Sequence, residues 1–152
     1  MAHCSCCLAV FALSLVACEA HTTVQTRLVL PSPLLASEAV LTKLHVSVLR
    51  AASFSQRLDL ATPGRCPAFD TSKTPTDKPR VTVKDGQFTL EQSHIPSVPE
   101  FCVAAWFDAN GNSKVDSGDA LGNLAAPYPV QPSTFLGSNE YESPPVQLTL
   151  VQ

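Results

Sequence analysis

Every one of the 13 prolines in this 152-residue chain lies after residue 30. Proline removes a backbone donor and clashes with the preceding helical turn, so a helical bundle is excluded over residues 31–152. The segments around the prolines read as strands instead. Val24, Thr26, Leu28 and Leu30 alternate with Gln25 and Arg27, and Leu44, Val46 and Val48 with Lys43, His45 and Ser47. Val146, Leu148 and Leu150 alternate with Gln147 and Thr149, which predicts a closing strand. This period of two marks half-buried strands. Residues 80–83 and 87–91 flank Lys84-Asp85-Gly86, and Asp-Gly between alternating runs predicts a hairpin. Residues 101–107, FCVAAWF, are apolar at every position, as expected of a central strand covered on both faces. Residues 34–41 predict a short helical turn. Residues 61–80 predict a long loop, and 93–99, 125–133 and 143–145 proline-punctuated connections. Some six short strands with turn signals between them predict an all-β fold, a single antiparallel sandwich of Greek-key type.

The net charge of −3, with 15% charged residues, excludes the clustered cations that neutralise nucleic-acid phosphates. With 45% of its residues hydrophobic, the chain has the apolar content a packed core needs.

The N-terminus carries an address. Residues 8–17, LAVFALSLVA, are apolar apart from Ser14. Ten residues are too few to span a bilayer as a helix but suit the apolar region of an export signal. The run ends in Leu15-Val16-Ala17-Cys18. This resembles the lipobox of bacterial lipoproteins, which implies lipidation of Cys18 and cleavage just before it. The segment before the run, residues 1–7, departs from the family in lacking Lys and Arg. The alternative is ordinary secretory cleavage after Ala20. The expected organisation is a signal peptide at 1–17, a short tether at 18–27 and a sandwich domain at 28–152.

Cleavage before Cys18 discards Cys4, Cys6 and Cys7 and leaves Cys18, Cys66 and Cys102. With lipid on Cys18, an even pair remains in an oxidising compartment, which predicts a Cys66–Cys102 disulfide. The alternative is two free buried thiols.

One constellation carries chemistry. Residues 108–119, DANGNSKVDSGD, place Asp108, Asn110, Asn112, Asp116 and Asp119 at the ligand spacing of a calcium loop, with the Lys114 carbonyl at its seventh position. In that arrangement Val115 would anchor the loop on the core. Two residues depart from it. Ser113 stands where a glycine is usual, and Asp119 is shorter than the usual closing glutamate. The alternative without metal is a polar turn in which Asn110-Gly111 supplies a positive φ and the side chains cap backbone groups. A catalytic carboxylate pair at Asp116 and Asp119 is a third possibility. Trp106 and Phe107, an aromatic pair in an apolar strand, are expected in the core. His21, His45 and His94 have no partner at metal-ligand spacing and are expected on the surface.

The layout KDGQFTL, a connection, then FCVAAWFDANGNSKVDSGDALG resembles the C-terminal half of the transthyretin-like or carboxypeptidase-regulatory-like β-sandwiches of exported bacterial proteins. The likeness covers residues 81–122. It implies a prealbumin-like sandwich and a non-catalytic domain of the cell envelope, with the outer membrane as the expected site and periplasm or medium as the alternative. The expected function is a lipid-anchored structural or binding module, calcium-stabilised, with a protein or glycan partner and no nucleic acid. The alternative is a small envelope hydrolase or carbohydrate-binding protein using the 108–119 loop.

Overall fold

The computed structural model describes residues 22–51, 57–73, 79–93, 100–130 and 139–152. Residues 1–17, expected above to be a signal peptide, and Cys18, His21 and His94 lie outside the described residues.

Two sheets pack face to face as an all-β sandwich. The first runs β3 (Arg80–Lys84), β4 (Gln87–Gln92), β1 (Thr22–Val29) and β8 (Asn139–Glu142), with β9 (Val146–Gln147) also on β1. The second runs β10 (Thr149–Leu150), β6 (Ala120–Asn123), β5 (Glu100–Phe107) and β2 (Leu44–Arg50), with β7 (Tyr128–Pro129) also on β5. The helical turn is a 3-10 segment at Glu38–Lys43, entered from an extended Ser37 and leading directly into β2.

The hairpin falls where Asp-Gly predicts it. Asp85 and Gly86 have φ of 52° and 71°, the two consecutive positive values of a type I′ turn. The turn fixes the β3–β4 register at Lys84↔Gln87 and Val83↔Phe88. The register in turn sends Phe88 and Leu90 inward against Val24 and Leu28 of β1. From the second sheet, Phe101, Val103, Ala105 and Phe107 complete the core, with Phe88 and Phe107 rings 6.2 Å apart across it. Thr26 and Ser143 hydroxyls, both in this interior, satisfy each other at 2.7 Å.

The structure revises three expectations. First, β1 starts at Thr22, so residues 22–27 belong to the sheet and not to a tether. Thr22, Val24 and Thr26 are buried, and Val24 is in register with Gln92. Second, the closing strand is two strands. Residues 146–147 pair with β1, whereas 149–150 pair with β6 in the opposite sheet. Leu148 makes the crossing, buried, with its N–H on the Val29 carbonyl at 2.9 Å. The period-two sequence pattern runs through this change of sheet without a break, yet beyond it burial no longer follows the pattern, Leu150 being 41% exposed. Third, the first sheet is mixed, since β8 and β9 both run parallel to β1.

β5 is buried along its whole length because it has a layer on each face. Its odd-numbered residues meet the first sheet, and Glu100, Cys102 and Trp106 on the other face meet a strap of irregular chain, residues 57–73. Glu100 accepts from Leu58 N–H at 2.8 Å and pairs with Arg57 at 2.9 Å. Cys102 is bonded to Cys66, a disulfide closing a separation of 36 residues. Phe69 lies against Trp106 with ring centroids 5.9 Å apart. In the chain-entropy description, a loop of this length makes the bond worth about 4 kcal/mol.

Candidate functional site

The 108–119 loop begins where β5 ends. Asp108 N–H donates to the Lys43 carbonyl at 2.8 Å, the last rung of the β2–β5 ladder. The chain then leaves the sheet, turns around the Asp108 side chain and returns as β6.

Asp108 and Asp119, the first and last acids, point inward and are buried, at 2% and 0% exposure. Each holds backbone. Asp108 Oδ1 accepts from Gly111 N–H at 2.7 Å and Asn112 N–H at 3.2 Å, and its Oδ2 from Ser113 N–H at 2.8 Å. Asp119 Oδ1 accepts from Ala109 N–H at 2.9 Å. Its Oδ2 accepts from Trp106 Nε1 at 3.0 Å and Asp116 N–H at 3.3 Å. Short Asx turns continue the pattern, Asn110 Oδ1 accepting from Asn112 N–H and Asn112 Oδ1 from Lys114 N–H. Gly111 and Gly118 take φ of 76° and 98°, and Ser113 takes 60°. The usual glycine position therefore keeps its left-handed backbone, held by the Ser113 N–H bond to Asp108.

Asp116 stands on the outer side. It accepts from Asn110 Nδ2 at 2.9 Å and from Asn112 Nδ2. The structure thus brings all five oxygen-bearing side chains into one hydrogen-bonded loop but divides the carboxylates, two beneath the backbone and one outside. Among the described residues, no three His, Cys, Asp or Glu side chains gather as a metal site. None of the three loop carboxylates has an ion-pair partner within that set either.

Val115 does not anchor the loop, being 39% exposed. The C-terminus does so instead. Val151 N–H donates to the Asp119 carbonyl at 2.8 Å, and Gly118 N–H to the Val151 carbonyl at 3.2 Å. Lys43 Nζ closes the other flank on the Ala109 carbonyl at 2.6 Å. Sequence reasoning missed Lys43, Trp106 and Val151. The need of Trp106 for a partner is legible, because a buried indole N–H needs an acceptor, but the sequence does not choose Asp119 over Asp108 or Asp116. Phe107 is core as expected. His45 is not a solvated surface residue. It is half-buried and stacked on Trp106, centroids 4.7 Å apart and planes at 22°.

At the opposite end of β5 stands Glu100, an acid with a perturbed carboxyl. The Leu58 N–H holds its carboxyl below the usual glutamate range, burial opposes this, and the Arg57 guanidinium adds to the lowering. Its role is to tie the strap to the sheet.

In comparisons with known proteins, the chain matches no family model, no curated protein and no solved structure.

Proposed function

We propose that this protein is an exported, lipid-anchored module of the bacterial cell envelope, non-catalytic, holding its place through Cys18 and presenting a β-sandwich to a protein or glycan partner. The observation that supports a non-catalytic reading is the employment of Asp108 and Asp119. Both are buried, and between them they accept six hydrogen bonds, five from backbone N–H groups and one from Trp106. A general acid or base needs an oxygen facing a substrate. These oxygens face the chain that carries them. The lipobox-like LVAC at residues 15–18 supports the anchor. The resemblance of residues 81–122 to transthyretin-like envelope domains supports the module.

The loop is also read as a weak calcium site. A carboxylate has about four lone-pair positions, so Asp108 and Asp119 retain acceptor capacity beyond the bonds they accept. Three carboxylates without an ion-pair partner among the described residues leave a local negative charge that a hard cation offsets. Asp116 would join them by exchanging its two amide donors for the ion.

Membrane fractionation tests the anchor. The full-length chain sediments with membranes, and Cys18→Ser releases it to the soluble fraction. A wild-type chain that is already soluble removes the anchored reading.

A further inference from the structure

Among the described residues, the strap over β5 is attached without sheet pairing. Of residues 57–73, Cys66 alone is buried, Leu58, Leu60 and Phe69 are half-buried, and the others are exposed. No sheet ladder passes through them. Their non-covalent attachments among the described residues are few. They are the Leu58 N–H and Arg57 bonds to Glu100, the Asn123 Nδ2 bond to the Cys66 carbonyl at 3.1 Å, the Phe69–Trp106 contact, and the packing of Leu58 and Leu60. Arg57 is itself mostly exposed, which makes its ion pair a weak tie. The one strong attachment is the bond from Cys66 to Cys102.

The sandwich beneath is held independently. β5 is in register with β2 over seven residue pairs and with β6 over four. Its inward side chains, Phe101, Val103, Ala105 and Phe107, pack with Val24, Leu28, Phe88 and Leu90 of the other sheet, so the strap's Cys66, Leu58 and Leu60 supply only a part of the contacts of this cluster.

We propose that residues 57–73 are a redox-released cover: reduction of Cys66–Cys102 by a dithiol frees the strap and opens the outer face of β5 around Trp106, while both sheets stay assembled. Cys66, in the strap, is the less buried residue of the pair, at 7% exposure against 2% for Cys102 in the central strand. A dithiol thiolate attacks Cys66 Sγ, the S–S bond breaks, and Cys102 leaves as a thiolate that takes a proton. The second thiol of the reductant then displaces Cys66. Two electrons pass to the protein, which gains two thiols, and the reductant leaves as a disulfide. The opened face presents the Trp106 ring with its His45 partner, apolar surface that the closed state hides.

The test uses the whole chain, in which Trp106 is the single tryptophan. Dithiothreitol is the reductant, acrylamide quenching reads exposure of Trp106, and limited trypsin digestion reads the strap at Arg65 and Lys73. On reduction, quenching rises several-fold and cleavage at these two sites accelerates about tenfold or more, following the open population. The strand signal in far-ultraviolet circular dichroism and a cooperative melt persist, and reoxidation restores shielding. Cys66→Ser, which cannot close, behaves as the reduced protein without any reductant. Trp106 remaining shielded after complete reduction overturns the proposal, because the strap then holds without the bond. Loss of the strand signal together with strap opening overturns it too, because cover and sandwich are then one unit.

Discussion

Trp106 Nε1 donates to Asp119 Oδ2 at 3.0 Å, so the last outward ring of the central strand is bonded to the last acid of the loop that follows it. Between these two residues the chain makes its whole excursion from β5 to β6. Trp106 and Leu121 are cross-strand neighbours in the same ladder. The bond therefore closes the loop at its base, and Asp108 organises the turn within it.

Asp119 should accordingly matter more for stability than for any chemistry. Asp119→Ala leaves the buried Trp106 donor and the half-buried Ala109 N–H without this acceptor, and an unsatisfied buried group costs about 1–3 kcal/mol. Chemical denaturation should show a loss of about 3 kcal/mol for Asp119→Ala. Asp116 is half-buried and its side chain accepts only from the exposed amides of Asn110 and Asn112, so Asp116→Ala should cost about 1 kcal/mol or less.

Gly122 is required where the C-terminal chain crosses between sheets. A Cβ at this position meets the Gln147 backbone carbonyl oxygen, which has no flexible side chain to move aside. Gly122→Ala should cost about 1–3 kcal/mol by overpacking. Thermal melting measures it, with Gly64→Ala, where no atom stands near but φ is positive, as the comparison.

Glu100 sets an acid limit on stability. Its folded-state carboxyl is held below the ordinary range by Leu58 N–H and Arg57, so the folded state prefers the charged form. The contribution is complete above the unfolded value, ~4.3, and is lost as pH falls below it through the depressed folded value. Denaturant midpoints measured from about pH 5 down to pH 3 should fall more steeply in the wild type than in Glu100→Gln.

What the sequence discloses follows from how local each signal is. The Asp85-Gly86 hairpin, the doubly covered β5 and the loop after it are all legible, because their physics is contained within a dozen residues. So is the Cys66–Cys102 bond, once Cys18 is set apart. What covers the outer face of β5 is not legible in FCVAAWF, which records only that something does. The strap that covers it is polar and proline-bearing, and its hold rests on Leu58, Cys66 and Phe69, spaced too irregularly to form a pattern. The crossing at Leu148 is hidden for the opposite reason, since its pattern is too regular. In the loop, the spacing of acids and amides is visible, but which acids turn inward depends on Trp106, Ala109 and Val151.

Calcium should stabilise the folded chain if the loop closes around it. Millimolar calcium should raise the melting temperature and EDTA should reverse the rise, with a gain of about 2.7 kcal/mol at a hundred times the dissociation constant. The affinity should be that of weak extracellular sites, ~10⁻⁴–10⁻³ M. Asp108→Ala should abolish the response. A melting curve indifferent to both calcium and EDTA leaves the loop as a hydrogen-bonded turn.

The mass of the mature N-terminal peptide tests the central claim most directly. Purified from its native membrane, the chain should begin at Cys18, with that residue carrying a diacylglycerol thioether. Cys18→Ser should lack the lipid and leave the membrane fraction. An unmodified mature terminus at His21, or a full-length chain beginning at Met1, would contradict the account.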